Sequence, residues 1–437
     1  MARAAAVALA VASLAGALAP AASAGWGKPR WLVGPQSDDV QPARLAFSAA
    51  GAASIAFAVQ DPDTPQNARA FIAQRSAAGQ IGKPRHVPGA LAVLGLTYQG
   101  SALELLTGSS PKGRGCCATV QAVPVSGSRF GKPSTLVRGL TGTTDGELVP
   151  LAAGANAKGG GGMLAALATQ RGVWVAQTNA KGAFTAARRL SFAGAPADVA
   201  AAALPGGGAA VAWTVATGGY DAQPQQILFA TGSSTSAPKA VRAAVTVPAG
   251  HSIDQLALEP GAKVPTLAWI ESWSDALGRF HSVLEVRDLT GSAQAQTVSP
   301  SFELASDLAF AANGAGDQVL AYDGCSNSGA CVARAATRQG GRPFAGALYL
   351  GAVDPSQQVA TAISSKGDAL VGWISPGGAV LAAAHSLHAA RFGRGQLVAA
   401  TSYAADLTLA FGAGRRALAA WTQGSVAPVI AGAMFSG

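Results

Sequence analysis

Five acidic residues, Glu147, Asp198, Asp254, Asp307 and Asp406, occupy the same place in a repeating phrase of this chain: each stands just before a short apolar run. If the phrases are copies of one structural unit arranged about an axis, these carboxylates converge into a ring. Such a ring would attract a hard cation such as calcium, which takes several oxygen ligands, or the hydroxyls of a sugar. Two carboxyls about 5–10 Å apart in one pocket are also the arrangement of a glycan hydrolase. The same residues can equally be structural, since an Asp ahead of a strand bonds turn amides with its side chain. Gln358 and Arg44 take the acidic position in two further copies. Loop aromatics Tyr220, Trp273 and Phe280 could stack on a sugar ring or anchor their loops. Asp61-Pro62-Asp63 is a fragment of a calcium-loop pattern without its glycine or distal acid, so calcium is at most a weak expectation and no metal ligands are assigned.

The elements that must position these residues are set by the repeat itself. An apolar run, a Gly- or Pro-rich turn and a second apolar run end in a large ring at Trp213, Trp269, Tyr322, Trp373 and Trp421, advancing by 56, 53, 51 and 48 residues. A period near 50 with several short strands per unit is the mark of a β-propeller blade. Earlier copies lie at Phe57, Leu91 to Leu106, and Leu148 to Ala168, which makes eight cores. A second phrase, read as the outermost strand, also occurs eight times. Examples are GWGKPRWLV from Gly25, GQIGKPRHV from Gly79 and SRFGKPSTLV from Ser128. Pro near its start suits an edge strand. The first outer strand precedes any core and the last core lacks one, so the two should complete one blade. The expected fold is all-β: a single propeller of eight four-stranded blades (seven as the alternative), closed by the N-terminal strand joining the last blade.

Residues 1–24 read as a secretory signal peptide, with Arg3, an apolar stretch and Ala22-Ser23-Ala24 before the cut, leaving 25–437 as the propeller domain. No later stretch reaches the about 18 apolar residues of a transmembrane helix. The protein is therefore expected to be secreted or envelope-associated, soluble and monomeric. Charged residues are only 12% and glycines number 55 of 437, which fits short buried strands joined by tight turns. Cys325 and Cys331 bracket a small loop and should form a disulfide. Adjacent Cys116 and Cys117 could pair with each other or between chains.

Alternate connections of antiparallel blades lie on opposite faces of the disc. On this assignment one face collects 16 of the 22 carboxylates, while the opposite turns and outer strands hold about 22 of the 31 Lys and Arg. The formal charge of +9 would favour anionic envelope polymers or membrane surfaces, weakly and salt-dependently. No H-E-x-x-H, G-x-S-x-G, Walker loop or Cys-x-x-Cys is present, and no recognition element supports specific nucleic-acid binding.

On its repeat form, the mature chain resembles secreted bacterial β-propeller proteins, broadly the sialidase-like and WD40-like superfamilies. Sialidases carry S-x-D-x-G-x-T-W boxes and an arginine triad. Here the turns read LPGGGAAVAW, EPGAKVPTLAW and SSKGDALVGW, and only Arg44 is placed to point inward. The expectation is thus a non-catalytic binding or scaffold propeller whose acidic, loop-rich face engages an extracellular glycan, envelope polymer or protein. A glycan hydrolase or lyase using channel-mouth carboxylates is the alternative.

Overall fold

The computed structural model describes residues 25–436 except 35, 37–38, 49, 61–66, 76–80, 111–116, 141–144, 151–161, 170, 180–181, 191–194, 205–206, 217–223, 234–235, 290–293, 387–388, 390, 413 and 425–427. Eight separate antiparallel sheets follow one another along the chain, and no α-helix occurs among the described residues. The Ala-rich runs form strands rather than helices because a Gly or Pro interrupts them before a helix could propagate.

Blade 1 comprises Asp39–Val40 with Arg44–Phe47, then Ala53–Gln60, Arg69–Arg75 and Arg85–His86. Blade 2 runs Ala92–Gln99, Ala102–Ser109, Thr119–Ser126 and the outer pair Arg129–Phe130 and Ser134–Arg138. The inner strands of blades 3 to 8 begin at Asp145, Ala195, His251, Leu304, Ala360 and Ala404. In blades 1 to 7 the strands pair in chain order from the axis outward.

The eighth blade takes its fourth strand from the other end of the chain. Gly25 and Trp26 pair with Ser436 and Phe435, and Arg30 and Trp31 with Gly432 and Ala431. Gly432 is required here: a Cβ at this position would lie 2.5 Å from Leu32 Cδ1 and 2.7 Å from the Ala419 carbonyl oxygen. The inner strands adjoin in sequence around the ring, and Ala404–Phe411 of blade 8 adjoins Arg44–Phe47 of blade 1, so the circle is complete.

Core residues sit between blades rather than within one. Alternate side chains of each middle strand face opposite neighbours: in Gln318–Cys325, Val319 and Ala321 pack toward blade 7 while Leu320 and Tyr322 pack toward blade 5. The aromatic column forms this layer, with Trp213, Tyr322 and Trp421 fully buried and Phe57, Trp269 and Trp373 nearly so. Full burial of such side chains stabilises by about 1.5–3 kcal/mol each.

One polar clamp adds to these contacts on the side of the hairpin turns. The buried Arg338 of blade 6 donates to Gln318 Oε1 (2.6 Å), to Asp288 Oδ1 of blade 5 (2.6 Å) and to the Thr266 hydroxyl. Gln318 in turn donates to the Pro260 carbonyl (2.9 Å), and the Arg338 guanidinium lies 5.0 Å from the Phe344 ring centre.

The Cys325–Cys331 bridge is formed, between residues directly paired across two strands. Cys117 is also disulfide-bonded; Cys116 lies outside the described residues.

Candidate functional site

Where the inner strands surround the axis they leave a cavity of about 700 Å³, within the range of small-ligand sites (about 300–1,000 Å³). Seven of the eight blades line it. Most of the wall is apolar or backbone, from Leu94 to Leu96, Gly146 to Val149 and Ala201 to Leu204. Three charged side chains enter it: Arg44, Glu147 and Glu259. Each stands on an inner strand that is fixed by its hairpin partner, Arg44 opposite Ala56, Glu147 opposite Ala166 and Glu259 opposite Thr266.

The two carboxyls differ in character. The Ala201 amide of the next blade donates to Glu147 Oε2 (2.9 Å), which favours the charged form. Burial pushes the Glu259 carboxyl well above the usual range, and the nearby charge of Glu147 raises it further, against a lowering hydrogen bond from the Ala312 backbone. The channel thus sets a carboxyl whose neutral, donating form burial favours beside one whose accepting form a backbone amide favours, next to a permanent guanidinium. Such a set can hydrogen-bond a polyhydroxylated group. It also has the two unequal carboxyls that acid–base chemistry needs.

Of the five acids singled out in the sequence, Glu147 is the one that lines this cavity. All five lie at the third or fourth residue of an inner strand rather than just ahead of it. Asp198, Asp254, Asp307 and Asp406 sit where the strand slips register against its partner in a β-bulge. Asp307 and Asp406 have φ of 53°, the non-glycine positive values among the described residues. Asp tolerates that left-handed conformation better than most side chains, a local reason for its recurrence.

Their hydrogen bonds serve the bulge as well. Thr422 donates to Asp406 Oδ2 (2.9 Å), and Ser252 to Asp254 Oδ1 (3.0 Å). The Asp198 amide donates to the Thr214 hydroxyl (3.0 Å). Gln255 of blade 5 accepts from the Leu308 amide of the next bulge (2.5 Å).

Glu259 escaped the sequence reading because it ends its strand at a Pro-Gly turn, a place assigned to the far face. The clue available was a carboxylate closing an apolar run, LALE, with no cation within the strand.

The loop aromatics fare differently. Tyr220 lies outside the described residues. Phe280 is exposed. Trp273 is directly opposite His251 on one strand and His281 on the other, and its indole is stacked between their rings (centres 4.8 and 5.3 Å away, tilted by 9° and 15°). Both indole faces are therefore occupied by imidazoles. His251 donates to Glu271 (2.6 Å) and His281 to Asp275 (3.2 Å), whose carboxyl is held far below the usual range, first by its bonds from Arg279.

Two further carboxyls depart from the sequence reading, which counted Asp323 among the carboxylates of the acidic, loop-rich face. Asp323 follows Tyr322 where blades 4 and 8 have Thr214 and Thr422. It is fully buried, both its oxygens lack a hydrogen-bond partner, and burial, followed by the charges of Asp307 and Asp354, pushes it up to about 8. Glu104, in the second strand of blade 2, is buried and pushed up to about 7.

Architecture and site together define the class: an eight-bladed β-propeller with a central cavity that three charged side chains enter. No protein-family model matches the chain, and no curated protein matches it. Among solved structures it is similar to the WD40 domain of SCAP from fission yeast, at 10% identity over 94% of this chain and 98% of that one, with a TM-score of 0.50. An ulvan lyase bound to its saccharide aligns at 9% identity over 92% of this chain and 94% of that one (TM-score 0.46). A protein of unknown function from Dyadobacter fermentans aligns at 11% over 95% and 100% (TM-score 0.44). At its identity the likeness to the SCAP domain shows the fold alone. No helix among the described residues is long and apolar enough to cross a membrane.

Proposed function

We propose that this is an exported binding propeller whose central channel receives a hydroxyl-rich group, best matched by the end of a glycan. The observation that carries the reading is the convergence of Arg44, Glu147 and Glu259 in a cavity of ligand size. An export route is supported by the leader-like residues 1–24 and by the Cys325–Cys331 bridge, since disulfides persist in oxidising compartments. We assign Asp198, Asp254, Asp307 and Asp406 to holding the inner-strand bulges around that channel, and the chain to acting as a monomer.

A second reading, a glycan hydrolase or lyase, is favoured by the unequal pair Glu147 and Glu259. In it Glu259 would donate a proton and Glu147 would act as base or nucleophile.

One experiment separates the two. The protein and its Glu259→Gln variant are tested against a glycan panel for thermal shift and for release of reducing or unsaturated ends. On the binding reading a glycan raises Tm without turnover, Arg44→Met abolishes the shift, and Asp307→Asn and Asp406→Asn retain it. Turnover that Glu259→Gln removes would establish the enzyme reading. A panel without any shift or turnover would reject both.

A further inference from the structure

The outer strands of blades 7, 8, 1 and 2, which are neighbours around the ring, begin with the same local structure. Gly393, Gly27, Gly82 and Gly131 each donate their amide to a carbonyl of the third strand in their own blade, to Ala384, Met434, Gln74 and Pro124 at 2.7–2.9 Å. The residue that follows is basic in all four: Arg394, Lys28, Lys83 and Lys132. All four are exposed. The repeat thus sets one cation per blade, at the same height, along half of the disc's rim on the side of the hairpin turns.

Among the described residues nothing acidic compensates this row. Among the described carboxylates of these blades, Asp39, Asp354 and Asp406 lie at the opposite ends of the strands. Glu104 is buried, and Asp368 is taken by Arg415 (3.0 Å). Further cations crowd the same side: Arg75 is held below its usual range by burial and then by the charges of Arg416 and Arg30.

At the blade 7 end the row opens into a groove of about 500 Å³ formed by Leu348 to Leu350 and Arg391 to Gly395. Tyr349 on its wall is 61% exposed. Arg391 and Arg394 reach it from the other side, both exposed and without an acidic partner. Gly395 stands in this blade where the other three have Pro29, Pro84 and Pro133. A Cβ at Gly395 would lie 2.8 Å from the Trp373 ring, so that side of the groove is bare backbone.

We propose that this rim binds an anionic polysaccharide, one sugar ring seated against Tyr349 and its carboxylate or sulfate groups meeting Arg391, Arg394 and then Lys28, Lys83 and Lys132 in turn. A linear polymer with regularly spaced charges matches cations spaced one per blade. A flat ring against a phenol face beside two guanidinium groups matches a uronate or sulfated sugar. This surface is separate from the channel and does not depend on how the channel is read.

The test uses the full mature chain with heparin as the sulfated probe and polygalacturonate as the carboxylated one. Neutral dextran, duplex DNA and phosphatidylglycerol vesicles are the competitors. Either anionic polysaccharide should bind, with log K falling as log salt rises, and dextran should not. Replacing Lys28, Lys83, Lys132 and Arg394 together by Gln should weaken binding at least tenfold and flatten the salt slope, with Tm unchanged. A charge-matched control on blades 4–6 (Lys239, Arg242, Lys263 and Arg342 to Gln) should bind as the parent does. Tyr349→Ala should weaken polysaccharide binding severalfold and leave any DNA binding as it was. Equal losses in the rim and control variants, or failure of both polysaccharides to bind, would overturn the proposal. So would DNA or vesicles binding as tightly as the polysaccharides.

Discussion

Blades 5 and 6 and the arc of blades 7, 8, 1 and 2 handle charge in opposite ways. Five of the six ion pairs among the described residues involve blades 5 and 6: His251–Glu271, Arg279–Asp275, His281–Asp275, Arg334–Glu303 and Arg338–Asp288. In the arc the described residues show the pair Arg415–Asp368, while Lys28, Lys83, Lys132 and Arg394 stand in solvent. Charge in the first region is mostly paired, and the Arg334–Glu303 and Arg338–Asp288 pairs are enclosed, so it bears on stability. Charge in the second is left open, so it bears on what the surface meets. The two buried acids, Asp323 in blade 6 and Glu104 in blade 2, stand outside this division, because each is enclosed without a cation.

Those two acids give the largest expected effect. In the folded chain Asp323 holds its proton up to about pH 8, against 3.8 for an ordinary Asp, and Glu104 up to about pH 7, against 4.5. Between each pair of values the folded state binds the extra proton, so the contribution of these two acids to stability falls as pH rises from about 4 to about 8 and is level above that. The loss is on the order of 5 kcal/mol for Asp323 and about 3 for Glu104. Urea unfolding across pH 4–9 should show this slope. Asp323→Asn should remove the slope above about pH 7 and lessen it below, while Glu104→Gln should lessen it only below about pH 7. A flat profile for the parent would mean that both acids have found partners in solution.

Next in size is the clamp between blades 5 and 6. Arg338→Met should cost about 3–5 kcal/mol, because Asp288, Gln318 and Thr266 lose a shared buried partner. A double change of Arg338→Met with Asp288→Asn should recover part of that loss. If the single change costs less than about 1 kcal/mol, enclosure does not make these charges structural.

The smallest effect is expected on the arc. Lys83→Gln and Lys132→Gln should alter unfolding free energy by no more than about 0.5 kcal/mol. A larger loss would show that the rim cations are part of the fold, and the division between the two regions would fail.

The ring itself was legible in the sequence because it rests on local repetition. The aromatic at each Trp213-like position and the Gly-Lys-Pro start of the outer strands recur whatever lies between them. The lone outer strand at Trp31 and the incomplete last core gave the closure. The channel was much less legible. Its wall draws on residues as far apart as Arg44 and Thr408, and which of them point inward depends on bulges that shift the strand by a residue. Four of the five acids read as a rim ring lie at those bulges, and a left-handed local conformation suits Asp at two of them, Asp307 and Asp406. Glu259 went unseen, and Asp323 was counted on the acidic face, because their character comes from enclosure by neighbouring blades, which no single repeat encodes. Trp273 was seen as a ring free to stack, but its imidazole partners arrive only when three strands align.

The pairing of Trp31 with Ala431 joins positions 400 residues apart, and it sets an order in time. The first strand synthesised is among the last to find its partner. The entropy of closing so long a loop grows only logarithmically with its length, so the delay costs little at equilibrium but weighs on the folding rate. Until the eighth blade exists, the opening segment and the free side of blade 1 wait unpaired, and Lys28 and Pro29 in that segment are the residue types that discourage a stray strand from docking there.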